Sequence, residues 1–190
     1  MCGWFVCEIR RRAGHLLGVK AVPPAEEQVF HALFERHYPA VYTYARRRVG
    51  DDLASDIASE VFVIAWRRRA VVPREPLPWL YGVARRVIAN QRRSAERMSR
   101  LVERVSVSAG LDADDAGADI ERVVTDSSVI AAALAQLTED EREVLALVAW
   151  EGLTARQLAR VLDCSVPAAT MRLHRARRRL QLRLRSESEE

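Results

Sequence analysis

The chain has 190 residues, a formal net charge of +4 and three cysteines, a length that suits one or two small domains. No run of about 18 apolar residues occurs, which excludes a membrane-spanning helix. Three cysteines make no disulfide framework, so a reducing cytoplasm is the expected location.

Abundant Leu, Ala, Val, Arg and Glu with little glycine predict an all-α fold. The charge is unevenly spread. Residues 29–104 hold 15 Lys and Arg against 8 Asp and Glu, residues 105–133 hold 1 against 6, and residues 134–190 hold 10 against 9. Two basic blocks flank an acidic connector, and that asymmetry is what a function must explain.

Residues 1–25 are expected to be a disordered extension. The apolar start "MCGWFV" has its arginines after it, the reverse of a secretory signal. Cys2, Cys7 and His15 lack both a fourth ligand and the spacing of a zinc site, so no metal or other cofactor is expected. From Glu26, residues Val29, Phe30, Leu33, Phe34, Val41, Tyr44, Ala45 and Val49 fall near helical spacing and predict a core-facing stripe, with Pro39 permitting a kink or break. "GDDLASD" starts a second helix, with Leu53, Ile57, Val61, Ile64 and Ala65 inward.

After the break "VVPREPLP", Pro78 suits the first turn of a third helix. There Leu80, Val83, Ala84, Val87 and Ile88 share one face, and the opposite face carries Gly82, Arg86, Ala89 and Arg93. A generic solvated helix would mix in glutamates for i, i+4 pairs, yet none appears before Glu96. Trp66, Trp79 and Trp150 read mainly as core residues, although Trp79 and Tyr81 are also able to stack on bases. Residues 105–128 read as a flexible acidic linker with a short helix near Ile120–Val124.

The second domain, 129–185, carries its own punctuation. Thr138 caps a helix whose first turn is Glu139, Asp140 and Glu141. Thr154 and Gln157 form a capping box, and the short helix they begin buries Leu158, Val161 and Leu162. Asp163-Cys164 makes a turn, and Ser165 caps a long basic helix with Val166, Ala169, Leu173, Leu180 and Leu184 inward. Two short helices joined by a tight turn, the second one basic, form a helix-turn-helix. Met171, Arg175, Arg178 and Arg179 then point outward, with Arg172 and His174 on either side, as a DNA-docking face. Residues 186–190 are an acidic tail.

In this order and spacing, three segments resemble the extracytoplasmic-function (ECF) members of the bacterial sigma-70 family of RNA polymerase sigma factors. "FHALFERHYPAVYTYARRRVGDDLASDIASEVFVIAW" and "PLPWLYGVARRVIANQRR" resemble family region 2, and "LTEDEREVLALVAWEGLTARQLARVLDCS…RLHRARRRL" resembles region 4. The resemblance implies two helical domains on a flexible tether. The first, 26–104, would bind the β′ clamp helices of core polymerase through Asp56 and Glu60, with Phe62 and Trp66 as packing positions. It would also read and melt the −10 element through Trp79, Arg86, Asn90 and Arg93. The second would bind the β flap and read the −35 element through Arg156, Thr170, Met171, Arg172, Arg175, Arg178 and Arg179. Thr170 and Ala168 depart from residues common in the family, which points to an unusual −35 preference.

The implied function is direction of core polymerase to specific promoters, with promoter DNA and core as partners and room for an anti-sigma factor as a third. No phosphate-cradling glycine loop, nucleophile–base pair or metal-ligand cluster is evident, so no enzymatic activity is expected. The alternative is a helix-turn-helix regulator that acts without joining polymerase. It leaves the second basic helix and the Asp56/Glu60 pair without a purpose.

Overall fold

A computed structural model describes residues 24–109 and 128–187 of the chain. Every regular element among them is helical: α1 Pro24–Val49, α2 Asp51–Arg67, a 3-10 turn Arg69–Val71, α3 Pro76–Ala109, α4 Ser128–Ala135, α5 Glu139–Ala149, α6 Ala155–Leu162 and α7 Val166–Glu187. The expectations for residues 1–23, with Cys2, Cys7 and His15, and for the Ile120–Val124 helix lie outside the described residues.

The helix ends follow local chemistry. In α1, Glu26 and Glu27 occupy the first turn and Arg46, Arg47 and Arg48 the last, each complementing the helix macrodipole. Pro39 lies inside α1 and neither splits nor ends it, so the break allowed for at that position does not occur. Gly50 separates α1 from α2 at φ 78°, a left-handed conformation that an L side chain rarely adopts. Pro76 and Pro78 both sit in the first turn of α3, where a missing N–H leaves no helix bond unmade. Helix α3 continues to Ala109, so residues 105–109 are helix and not linker.

The helices α1, α2 and α3 pack around Val41, Tyr44, Ile57, Val61, Phe62, Leu80 and Ala84, all essentially inaccessible to solvent. Phe30, Phe34 and Trp66 extend this core by edge-on ring contacts: Phe34–Phe62 and Phe30–Trp66 are both 4.9 Å between centroids. The helices from α4 onward enclose Ala133, Leu147, Leu158, Ala169 and Ala176.

Four residues expected inside are not. Val29 is 72% exposed, Leu53 40% and Val166 41%. Each lies in the first two turns of its helix, where neighbouring helices no longer cover the apolar stripe. Trp150, just beyond α5, is 43% exposed, with the Arg47 guanidinium 5.4 Å over its ring.

The two halves also pack on one another: their buried residues form one continuous cluster from Phe34 to Ala169. Gly82, assigned to the outer face of α3, is buried against α6. A Cβ at this position would lie 3.3 Å from the Val161 carbonyl oxygen, so glycine permits the close approach of the two backbones.

Candidate nucleic-acid interface

The helix-turn-helix is built by reciprocal caps. Thr138 Oγ1 accepts from the Glu141 N–H at 3.3 Å, and the Glu141 carboxylate accepts from the Thr138 N–H at 3.1 Å. The same box starts α6: Thr154 Oγ1 accepts from Gln157 N–H at 3.4 Å, and Gln157 Oε1 from Thr154 N–H at 2.9 Å. The Glu141 box was not among the sequence expectations, although Thr-x-x-Glu is its signature. Asp163 takes the left-handed conformation at φ 51° that turns the chain between α6 and α7. Ser165 Oγ then accepts from the Ala168 N–H at 3.3 Å to begin α7. Leu158, Val161 and Leu162 are buried beneath this turn, which fixes the direction of α7.

On α7, Thr170, Met171, Arg172, Arg175, Arg178 and Arg179 are all exposed, as is Arg156 on α6. The structure therefore brings these predicted residues to the surface of one helix-turn-helix. Two already have intramolecular partners. Thr170 Oγ1 donates to the Val166 carbonyl at 3.0 Å, and Arg179 Nη1 donates to Glu141 at 2.7 Å. Burial acts to raise the Glu141 carboxyl, but the Thr138 N–H and hydroxyl and the Arg179 charge outweigh it and hold the group below its ordinary value.

On α3, Trp79 is half-buried while Arg86, Asn90 and Arg93 are exposed. This helix faces the other unit. Arg85 Nη2 donates to Asp140 at 2.8 Å, Arg92 pairs with Glu139, and Arg86 Nη1 lies 3.9 Å from Asp163. A cleft of about 1100 Å³ lies between α3 and the α4, α5 and α7 helices, with Arg86 and Arg93 on one wall and Leu134, Val148 and Leu173 on the other. Asp56 and Glu60 are exposed one turn apart on α2, and neither lines that cleft. The structure thus leaves three separate predicted patches: the α2 carboxylates, the α3 arginines and the α7 arginines.

Sequence reasoning missed the residues that join the halves. Arg48 Nε donates to Glu143 at 2.7 Å and Nη1 to Glu151 at 3.4 Å, while Tyr44 Oη donates to Glu143 at 2.7 Å. The side chains of Arg48, Glu143 and Glu151 are only 9%, 14% and 5% exposed. Burial works against the Arg48 charge, yet Tyr44, Glu143 and Glu151 together raise its pKa. Burial and the Glu143 carboxylate push the Tyr44 hydroxyl well above its usual range.

Removing one member of such a cluster leaves a buried charge unpaired, at a cost of about 3–5 kcal/mol. Among the described residues, Arg48 Nη2 and Arg142 Nε are buried without a hydrogen-bond partner. The only signal in the sequence is the Arg46–Arg48 run, which by itself reads as a helix C-terminus.

Among the described residues, no group of three or more His, Cys, Asp or Glu could hold a metal ion, and no helix is long and apolar enough to cross a membrane.

Comparison with known proteins agrees with this layout. Residues 33–98 match the family model for sigma-70 region 2, and residues 127–180 match that for sigma-70 region 4. The ECF RNA polymerase sigma factor SigL of Mycobacterium tuberculosis is 32% identical over 170 residues, covering 87% of this chain and 94% of that protein. The RNA polymerase sigma factor CarQ of Myxococcus xanthus is 31% identical over 164 residues, covering 82% and 88%. Two solved structures share the fold. The sigma factor RpoE of Bartonella quintana, in complex with the anti-sigma factor NepR, superposes with a TM-score of 0.58 at 23% identity, covering 83% of this chain and 98% of that one. CnrH, in complex with the cytosolic domain of CnrY, gives 0.56 at 22% identity, covering 96% and 98%.

Proposed function

Because the chain belongs to the ECF subfamily of the sigma-70 family, we propose that it is a dissociable promoter-specificity factor for bacterial RNA polymerase, acting in the cytoplasm. Polymerase carries out the phosphoryl transfer; this chain supplies position and strand opening. Residues 26–104 dock on the β′ clamp helices, with the Asp56 and Glu60 carboxylates meeting a basic surface. Arg86, Asn90 and Arg93 meet the −10 element, where Trp79 stacks on bases held out of the duplex and so lowers the cost of melting. Residues 129–185 dock on the β flap and lay α7 into the −35 major groove. Arg172 and Arg175 reach base edges, while Arg178, Arg179 and Arg156 meet phosphate.

The observation that carries this reading is the pairing, in one chain, of a helix-turn-helix bearing an outward arginine face with a second arginine helix that has no acid on it before Glu96. An autonomous repressor needs only the first. The test is co-purification with core polymerase, followed by run-off transcription on a genomic fragment library. A factor of this kind gives discrete new transcripts with core and binds promoter duplex weakly alone. Tight, sequence-specific duplex binding by the free chain, with no transcript from the reconstituted enzyme, would instead identify a regulator that never joins polymerase.

A further inference from the structure

The cleft of about 1100 Å³ between α3 and the α4, α5 and α7 helices combines apolar walls with an excess of positive charge. Eight arginines line it against four carboxylates. Of those carboxylates, Glu139, Asp140 and Glu143 are already held by Arg92, Arg85 and Arg48, which leaves only Glu96. Arg142 on α5 and Arg177 on α7 have no carboxylate partner among the described residues. Neither is needed for the contacts with DNA and core polymerase set out above.

A second observation points the same way. The Arg48 side chain is only 9% exposed and lines the cleft with Nη2 buried and without an acceptor; Arg142 Nε is in the same state. A buried guanidinium N–H that makes no hydrogen bond is costly. Burial lowers the Arg92 pKa, and the Arg142 and Arg48 charges lower it further against the opposing Glu143 and Tyr44. Guanidinium groups from α1, α3 and α5 are thus crowded close enough to repel one another. An oxyanion among them would accept the unmade hydrogen bonds and relieve the repulsion together. Chloride supplies the charge without the paired oxygens that a guanidinium fork matches. We propose that this cleft binds a small phosphate-bearing ligand, with the phosphate seated on Arg48, Arg92 and Arg142 and met by Arg177 from α7. A bare phosphate leaves most of the volume unfilled, and Leu134, Val148 and Leu173 offer an apolar wall for an organic body such as a nucleoside.

The test uses the full chain in metal-free buffer at about 0.1 M salt, where exposed charges are largely screened. Inorganic pyrophosphate and ADP are each titrated by isothermal calorimetry, and both should bind at a single site per chain. Tighter binding of ADP identifies an organic phosphate held by the apolar wall; equal affinity identifies a site for the free phosphate group. Arg142→Gln and Arg177→Gln should each weaken pyrophosphate binding about 10- to 100-fold, the worth of a hydrogen bond to a charged group. Arg97→Ala with Arg100→Ala removes two exposed charges of α3 that lie outside the cleft, and should leave binding unchanged. Arg177 is exposed, so its variant carries the test if circular dichroism shows that Arg142→Gln does not fold.

No binding of either phosphate by the native chain overturns the proposal, as does binding that the glutamine variants leave intact. Binding that falls as far in the Arg97/Arg100 variant is attraction to net charge and overturns it too. A short polyglutamate peptide is the last arm. If it binds more tightly than pyrophosphate and displaces it, the cleft takes an acidic protein segment and the phosphate assignment is wrong. None of these outcomes bears on the promoter reading, which rests on neither Arg142 nor Arg177.

Discussion

Arg175→Ala and Arg179→Ala should have different consequences, although both residues are exposed arginines on one helix. They are four positions apart, about 6 Å along the axis and just over one turn. Arg175 lies nearer the start of α7, where a recognition helix presents side chains to base edges. A bidentate base contact is worth about 1–3 kcal/mol, so its loss should cut transcription from a matched −35 element by about 5- to 150-fold and change which bases matter. Arg179 must first leave Glu141, to which it donates at 2.7 Å with its own side chain 62% exposed. The Glu141 side chain is 15% exposed, but the arginine stands in solvent, so the pair is worth on the order of 1 kcal/mol and is exchanged for phosphate. Arg179→Ala should therefore weaken all promoters alike and lower the salt dependence by about one ion. The assay is a −35 randomised promoter library transcribed by each variant at several salt concentrations. If Arg179→Ala reshapes base preference while Arg175→Ala merely scales it, this division of α7 is wrong. If neither variant affects any promoter, the arginines are a solvated face.

Three further outcomes are expected. Asp56→Arg with Glu60→Arg should abolish capture of core polymerase while leaving the fold intact, since both residues are exposed on α2; undiminished pull-down by the folded double variant would reject the assignment. Phe62→Ala should destabilise the chain by about 3–5 kcal/mol, because Phe62 is wholly buried and edge-packed on Phe34 and Phe30; a loss under about 1 kcal/mol in urea denaturation would contradict this packing. Glu141→Gln keeps the capping box but removes the charge. The folded carboxyl lies below its ordinary 4.5, so its contribution is complete above pH 4.5 and is lost as pH falls through the lower folded value. The gap in melting temperature between native and variant chains should be present at neutral pH and close in acid; a gap that persists in acid would count against the Thr138 and Arg179 contacts.

The boundaries most legible in the sequence are those set by residues within one turn of each other. The Thr154–Gln157 box, the Ser165 cap and the Asp163 turn are local chemistry, and each stands where the spacing put it. The outward arginines of α7 were equally legible, because a helix of known start has a known face. The exposed Val29, Leu53 and Val166 mark the limit of that logic. Periodicity says which residues share a stripe but not how far along it a neighbour reaches.

What only the tertiary structure decided is the seam between the halves. Gly82 falls on the outer face of α3 by helical period, and it is outer with respect to its own three-helix unit; it is buried because a second unit covers it. Arg48 and Glu143 lie 95 residues apart and Arg48 and Glu151 103 apart, and nothing local in either stretch selects the other. An arginine at a helix end and a glutamate in a distant helix each look solvated when read alone. Composition and spacing were sufficient for two basic helices and the elements that carry them, because backbone geometry acts over one or two turns. Their pairing with the chain's own carboxylates depends on charges meeting across a fold, and this is settled only when the distant surfaces are brought together and dried.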